Sequence, residues 1–218
     1  MWTSPQQRLD LVRLCENVPS AKLQSLKSKA IIFLAPPKNV SWVVADGYVK
    51  LICNQPNGQA RIQRIVGEGG MFGQVPYGHS STSSSHQASA QGPARVISCD
   101  CRTLEESLDS QSLESSKLLR SLAAGIQTLE RRLAWQFKSP LNVRVATILQ
   151  DLMSQEGRRC KHGHSIDVRL THQELAELAG APGNERASGR LRRHGIIEYT
   201  RNYFCVDDPR RLESLAMT

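Results

Sequence analysis

The apolar positions of this chain change their period twice. Over residues 4–26, Leu9, Leu11, Val12, Leu14, Leu23 and Leu26 recur at broadly helical spacing, interrupted by Pro19, which predicts a short helical lead-in. From Ala30 the pattern shortens into β-rich runs: IIFLA (31–35), SWVVADGYVKLI (41–52) and ARIQRIV (60–66). Pro36-Pro37, Asn57-Gly58 and the glycines of GEGGMFG (67–73) separate them, and a further strand, ARVISCD, is expected from Ala94. Strands at roughly ten-residue spacing with Gly and Asn turns predict an antiparallel roll or sandwich. The stretch GHSSTSSSHQASAQG (78–92) is too polar and too poor in branched apolar residues for a core strand, so it reads as a loop.

The helical period then returns. Leu119, Leu122, Ile126, Leu129, Leu133 and Phe137 follow one another at spacings of three and four, with Lys117, Arg120, Gln127, Glu130, Arg131 and Arg132 mostly off that line. A stripe sustained this long predicts a coiled-coil seam; the competing reading is a helix packed on its own roll. Ser139-Pro140 should end this helix, because the residue before proline is pushed out of the α region. A second helix over 141–155 carries Val143, Val145, Ala146, Ile148, Leu149, Leu152 and Met153, and a charged connector (156–165) leads to a strand at 166–170.

Residues 166–206 hold the most informative pattern. Thr171 precedes Glu174 by three positions, the spacing of a capping box, and the helix it opens (172–179) turns Leu175, Ala176, Leu178 and Ala179 inward. Gly180 supplies the tight turn, and a second helix is expected from Pro182, with Ala187 and Leu191 inward and Asn184, Glu185, Arg186, Arg190 and Arg193 on the other face. Gly195-Ile196-Ile197 opens a hairpin, IIEYT and YFCV around Arg201-Asn202. This is the pattern of a winged helix-turn-helix. Asn, Glu and Arg at a helix N-terminus offer the side-chain forks that read base edges in a major groove.

Composition adjusts this picture. The 218 residues carry a formal charge of +8, and the pI is 9.4. From Ser139 onward there are 12 Lys and Arg against 10 Asp and Glu, leaving +6 of the charge to the first 138 residues. Bulk charge therefore says little about a polyanionic partner, and the local cluster of five arginines against two acids over 181–201 says more. No apolar segment approaches a membrane span and no secretion pattern opens the chain, so a cytoplasmic protein is expected. Six cysteines are too sparse for a disulfide framework.

The whole order resembles the cyclic-AMP receptor protein/FNR superfamily of bacterial transcription regulators. The resemblance rests on DGYVKL (46–51), NGQ (57–59), GEGGMFGQ (67–74), the seam helix, LTHQELAELAG (170–180) and the terminal hairpin followed by DPRRLESLA. It implies an α+β fold: a cyclic-nucleotide-binding-type antiparallel β-roll as sensor (1–110), a long dimerisation helix (111–138) and a C-terminal winged helix-turn-helix (139–218). It implies a homodimer, not an enzyme, bound to a pseudo-palindromic operator in double-stranded DNA, with RNA polymerase a further candidate partner. Thr171, His172 and Gln173 would touch phosphate, and the helix from Gly183 would enter the major groove. Relatives usually carry Ser-Arg-Glu-Thr after the turn glycine and a longer interval between the two glycines. This chain has Ala-Pro-Gly-Asn-Glu-Arg, with Gly180 and Gly195 only 15 positions apart. Arg186 and Arg190 are therefore the first candidates for base or phosphate contact, Asn184 and Glu185 next.

The sensor region departs from its relatives too. Where nucleotide binders have Gly-Glu for the ribose and an Arg-Ser/Thr phosphate clamp, this chain has Gly73-Gln74 and then Ser83, Ser84, Ser85 and His86, with no Lys or Arg between Gly73 and Pro93. Cyclic AMP is not expected, no cofactor is predicted, and the effector pocket, if used, would involve Gly73, Gln74, Ser84, Ser85 and His86 with an unknown small molecule. Other readings are a constitutive regulator whose roll is purely structural, and a haem- or thiol-based sensor using His79 or His86, or a cysteine. An iron–sulfur cluster needs more thiolates near the N-terminus than Cys15. Cys99 and Cys101, alternate positions on one strand, suit packing, with a thiol switch the alternative. The Cys160-x-His162-x-His164 tract lacks a fourth metal ligand and reads as a charged loop. Nothing in Ser80 to His86 supplies the base and orienting group of a hydrolase.

Overall fold

The computed structural model describes residues 5–54, 60–78, 86–161, 163–181, 186–199 and 204–216. The chain divides into two units, Met1–Ile126 and Gln127–Thr218. The first begins with α1 (Pro5–Glu16). Eight strands follow: β1 (Lys22–Leu26), β2 (Ile31–Phe33), β3 (Val40–Asp46), β4 (Val49–Asn54), β5 (Ala60–Val66), β6 (Met71–Gly73), β7 (His86–Ala90) and β8 (Ala94–Asp100). They form two antiparallel sheets, β1-β8-β3-β6 and β2-β7-β4-β5. The antiparallel roll read from the sequence is present, with β5 and β8 at the expected bounds.

Why 41–52 is so apolar follows from β3. Trp42 and Val44 point into one cluster, with Val49, Val66, Phe72, Ala88 and Val96. Val43 and Ala45 point into another, with Leu11, Cys15, Ile97, Cys99, Leu104 and Leu108. Alternate side chains leave a strand on opposite faces, so a strand covered on both sides loses its polar alternation. The first cluster is aromatic at its centre: Trp42 stacks on Phe72 at 5.8 Å, and Phe33 lies 5.0 Å from Trp42.

Three sequence expectations change here. The lead-in helix ends at Glu16; Leu23 and Leu26 lie instead on β1, a mostly exposed strand beyond Pro19 that pairs with β8 and completes the sheet edge. The 78–92 stretch is not all loop. His86–Ala90 is β7, an inner strand between β2 and β4, with Ala88 and Ala90 buried. Its buried side chains, Ala88, Ser89 and Ala90, are small, and Ala88 packs against the aromatic cluster, so burial there needs no branched residue. Finally, Cys101 does not share a strand with Cys99. Asp100 ends β8 and caps α2 (Cys101–Asp109), its Oδ1 accepting from the amides of Arg102 and Thr103 at 3.0 and 3.1 Å.

α3 (Ser112–Lys138) runs 27 residues and ends where Ser139-Pro140 predicted. Leu118 is buried in the cluster beneath α1 and α2, and Leu122 packs against the same cluster.

The second unit is built on α4 (Leu141–Glu156), which buries Val143, Val145, Ala146, Ile148, Leu149 and Leu152. Next come β9 (Gly157–Cys160), β10 (Gly163–Ile166), α5 (His172–Leu178), α6 (Arg186–Arg193), β11 (Ile197–Tyr199), β12 (Phe204–Val206) and α7 (Pro209–Ala216). The sheet order is β11-β12-β10-β9. The strand expected at 166–170 lies earlier, and the charged connector is itself the β9–β10 hairpin. Gly163 decides this: at φ +151 its Cα passes so close to the Val206 carbonyl that only a residue without Cβ fits. Val168 and Leu170 are buried beyond the strand end.

Candidate nucleic-acid interface

Both helices of the α5–α6 pair are held by local hydrogen bonds that their sequence encodes. Thr171 Oγ1 accepts from the Glu174 amide at 3.1 Å, and Glu174 Oε2 accepts from the Thr171 amide at 2.9 Å, the capping box anticipated from the spacing. Gly180, at φ +69, then closes α5: its amide donates to Glu177 O at 2.9 Å, and the Ala181 amide donates to Ala176 O at 2.9 Å. The same pair of bonds closes α6 at Gly195 (φ +62), from Gly195 to Arg192 O and from Ile196 to Leu191 O. These are two Schellman motifs, and each needs a left-handed residue at its glycine.

The core side of the motif is Leu175, Ala176, Ala179 and Leu191, all buried. Leu191 fixes the roll of α6 about its axis. Arg192 and Arg193 are exposed. α6 carries four arginines in eight residues, RASGRLRR, and no acid. Arg211 from α7 donates to the His194 carbonyl at 3.1 Å, tying α7 to the end of α6.

The three residues expected at phosphate occupy different surroundings. Thr171 is exposed, with its hydroxyl committed to the cap. Gln173 is exposed and donates to Glu177 Oε1 at 3.1 Å. His172 is half-buried in an aromatic cluster, its ring 4.2 Å from Tyr199 and 6.3 Å from Phe204. Tyr199 Oη in turn donates to the Leu170 carbonyl at 3.2 Å, so the hairpin β11–β12 is fastened to the start of α5. The spacing of LTHQ gave no sign of this aromatic role. Gly183, Asn184, Glu185 and the wing tip with Arg201-Asn202 lie outside the described residues, as do the side chains of Arg186 and Arg190 on α6.

In the first unit, Gly73 and Gln74 are tied into the fold. Gly73 has φ +80, and a Cβ there would meet the Trp42 ring at 2.4 Å. Gln74 Oε1 accepts from the Asn39 amide at 3.2 Å, its amide donates to Val40 O at 3.0 Å, and its carbonyl accepts from the buried Ser41 hydroxyl at 2.7 Å. His86 pairs with Cys53 across β7 and β4. His79, Ser84 and Ser85 lie outside the described residues. Two arginines of β5 passed unnoticed in the sequence. Arg64 donates to Met71 O at 2.8 Å, and Arg61 has a buried Nε with no hydrogen-bond partner among the described residues.

On α3 the described seam residues divide. Leu122 leans on the roll's own core, whereas Leu119, Ile126, Leu129 and Leu133 are 66%, 56%, 48% and 56% exposed. The Phe137 side chain lies outside the described residues. No helix among the described residues is long and apolar enough to cross a membrane.

Comparison with known proteins gives a consistent result. Residues 143–215 match the model of the Crp-like helix-turn-helix domain. The chain is 26% identical over 187 residues to a global nitrogen regulator of Nostoc sp., covering 84% of this chain and 83% of that protein. It is 25% identical over 178 residues to a CRP-like cAMP-activated global transcriptional regulator of Mycobacterium tuberculosis, covering 81% and 79%. Among solved structures, FixK2 of Bradyrhizobium japonicum superposes with a TM-score of 0.74 at 18% identity, over 89% of this chain and 96% of that one. A CooA variant of Carboxydothermus hydrogenoformans gives 0.73 at 16% identity, over 91% and 89%. At these identities the structures speak for the fold alone.

Proposed function

We infer that this chain, which belongs to the Crp/Fnr superfamily of transcription regulators, binds a pseudo-palindromic DNA operator as a homodimer and does not respond to cyclic AMP. The chain is a Crp-type DNA-binding transcription regulator. The observation that carries the finer reading is α6: a helix pinned at its end by a Schellman motif, anchored by buried Leu191 and bearing arginine at half its positions. At about 100° per residue, positions 186, 190 and 193 fall together on the side of α6 away from Leu191. Arg186 and Arg190 contact bases or phosphates there, with Arg193 beside them and Asn184 and Glu185 at the helix entrance. Thr171 and Gln173 approach the backbone at the start of α5, and His172 positions that start through Tyr199 and Phe204.

The exposed apolar stripe Leu119, Ile126, Leu129 and Leu133 supports pairing of two α3 helices. Burying a Leu or Ile side chain contributes roughly 1.5–3 kcal/mol, a large loss to leave to solvent four times over. The chain then works as a roll (1–110), a dimerisation helix (111–138) and a reading head (139–218), with RNA polymerase the further partner of a bound dimer. A ligand shifts such a dimer only through different affinities for two arrangements of the heads.

Two observations speak against cyclic AMP. The clamp region carries no Lys or Arg between Gly73 and Pro93. Gln74 spends its side chain on the Asn39 amide. The same two facts favour a second reading, in which the roll is a constitutive scaffold without an effector. Thermal-shift screening with nucleotides, 2-oxo acids and haem separates the two, because a specific ligand raises the melting temperature by mass action.

The direct test of the α6 assignment is R186A/R190A in a mobility-shift assay on genomic fragments. Loss of a base-reading arginine weakens binding by about 1–3 kcal/mol, and loss of a phosphate contact flattens the salt dependence by about one unit of log–log slope. Undiminished, equally salt-dependent binding overturns the assignment.

A further inference from the structure

The corner where β9, β10 and β12 meet holds two thiols outside the α5–α6 pair. Cys160 ends β9 and Cys205 is the middle residue of β12, and their sulfurs lie 3.3 Å apart although 45 positions separate them in sequence. The two thiols reach each other across the strand between them. β10 lies between the two strands and pairs Gly163 with Cys160 and Ser165 with Cys205. Paired residues share a face of the sheet, so both thiols stand on the same face, over the smallest side chains β10 carries there.

Their surroundings differ. Cys160 is exposed and Cys205 is buried. Burial first, then the Cys160 sulfur and the Asp207 carboxylate, push the Cys205 thiol up to about 12. Cys205 therefore keeps its proton, and Cys160 is the sulfur that solvent reaches. The other hydrogen-bonded thiol pair, Cys15 and Cys99, is sealed in the core at 0% and 2% exposure.

We propose that Cys160 and Cys205 are an oxidisable dithiol that a hydroperoxide closes to an intrachain disulfide. The Cys160 thiolate attacks the peroxide, the O–O bond breaks, a sulfenic acid forms on Cys160, and the displaced hydroxide takes up the proton that the Cys160 thiol gave to solvent, leaving as the first water. The Cys205 sulfur then attacks the Cys160 sulfur; the S–O bond breaks, the S–S bond forms, and the hydroxyl leaves as the second water. The Cys205 proton passes by way of the adjacent Asp207 carboxylate to the departing hydroxyl. Two thiols give up two electrons, and hydrogen peroxide is reduced to two waters. The closed loop, 160–205, contains α5, α6 and β11 in full, so the disulfide braces the reading head by restricting its unfolded chain. The pair's chemistry does not depend on whether α6 reads DNA, and neither result decides the other.

The test uses the full-length reduced protein, treated with stoichiometric hydrogen peroxide, blocked with N-ethylmaleimide and mapped by peptide mass spectrometry. The expected product is a single Cys160–Cys205 linked peptide within one chain, reversed by dithiothreitol, with the second unit melting roughly 10 °C or more higher. C160S, a change at an exposed site, abolishes both effects, and C205A accumulates a dimedone-trappable sulfenic acid on Cys160. If peroxide leaves Cys160 alkylated and unlinked while other cysteines oxidise, or joins Cys160 to another chain, the proposal is overturned.

Discussion

Single residues show where local chemistry was readable and where it was not. The Thr171 capping box was legible because it depends on two residues three positions apart. Thr171→Ala should cost about 1 kcal/mol in urea unfolding of the second unit. His172 was not legible, because its partners Tyr199 and Phe204 reach it only through the fold. Gly73 and Gly195 both have positive φ, but only Gly73 faces an obstacle, the Trp42 ring. Gly195→Ala should therefore cost about 1–2 kcal/mol, from the backbone alone. Gly73→Ala should cost about 2–5 kcal/mol, since overpacking adds to the backbone term. Calorimetry of the two variants checks the order, and equal costs would mean that Gly73 is not held by Trp42. Tyr77 offers a titration test. Its hydroxyl donates to Asp109 Oδ1 at 2.6 Å, which pushes it up to about 12 from an ordinary value of 10.0. A raised folded value means that this bond's contribution is complete below pH 10 and is lost as the pH rises through about 12. Absorbance titration of the wild type against Tyr77→Phe should show one tyrosine ionising late.

At the scale of elements, periodicity served well where one face is dry and the other wet. It failed where a strand is filled with small residues. β5 and α5 were legible on that basis, β8, covered on both sides, as a nearly continuous apolar run, and the end of α3 from Pro140. β7 was not, because Ser and Ala carry no apolar signature while the aromatic cluster above them supplies the bulk. α2 was missed too, although Asp100 followed by Leu104 and Leu108 was the available signal of a capped amphipathic turn. The α3 stripe mixes two roles that one heptad reading merged, with Leu118 and Leu122 turned to the roll and Leu119, Ile126, Leu129 and Leu133 left exposed. Ile126→Glu with Leu133→Glu should turn a dimer into a monomer by analytical ultracentrifugation, with the helical circular dichroism retained. The same change at Leu118 should unfold the first unit instead.

For the whole molecule, order and spacing along the chain revealed more than any one motif. A roll, a long helix and a winged helix in sequence implied the superfamily before any contact was known. The site within the head was less legible, because the residues after Gly180 depart in sequence from those of its relatives and 182–185 lie outside the described residues. If the helix reads DNA, a different set of residues at its start implies an operator unlike the usual one. The most direct measurement of the central claim is a selection of genomic fragments bound by the full-length protein, sequenced and aligned without assumed symmetry. A dimer placing two α6 helices in successive major grooves should recover a two-fold-related pair of half-sites about 10 base pairs apart, centre to centre. Recovery of fragments without a shared motif, or of a single half-site with no symmetry mate, would contradict it.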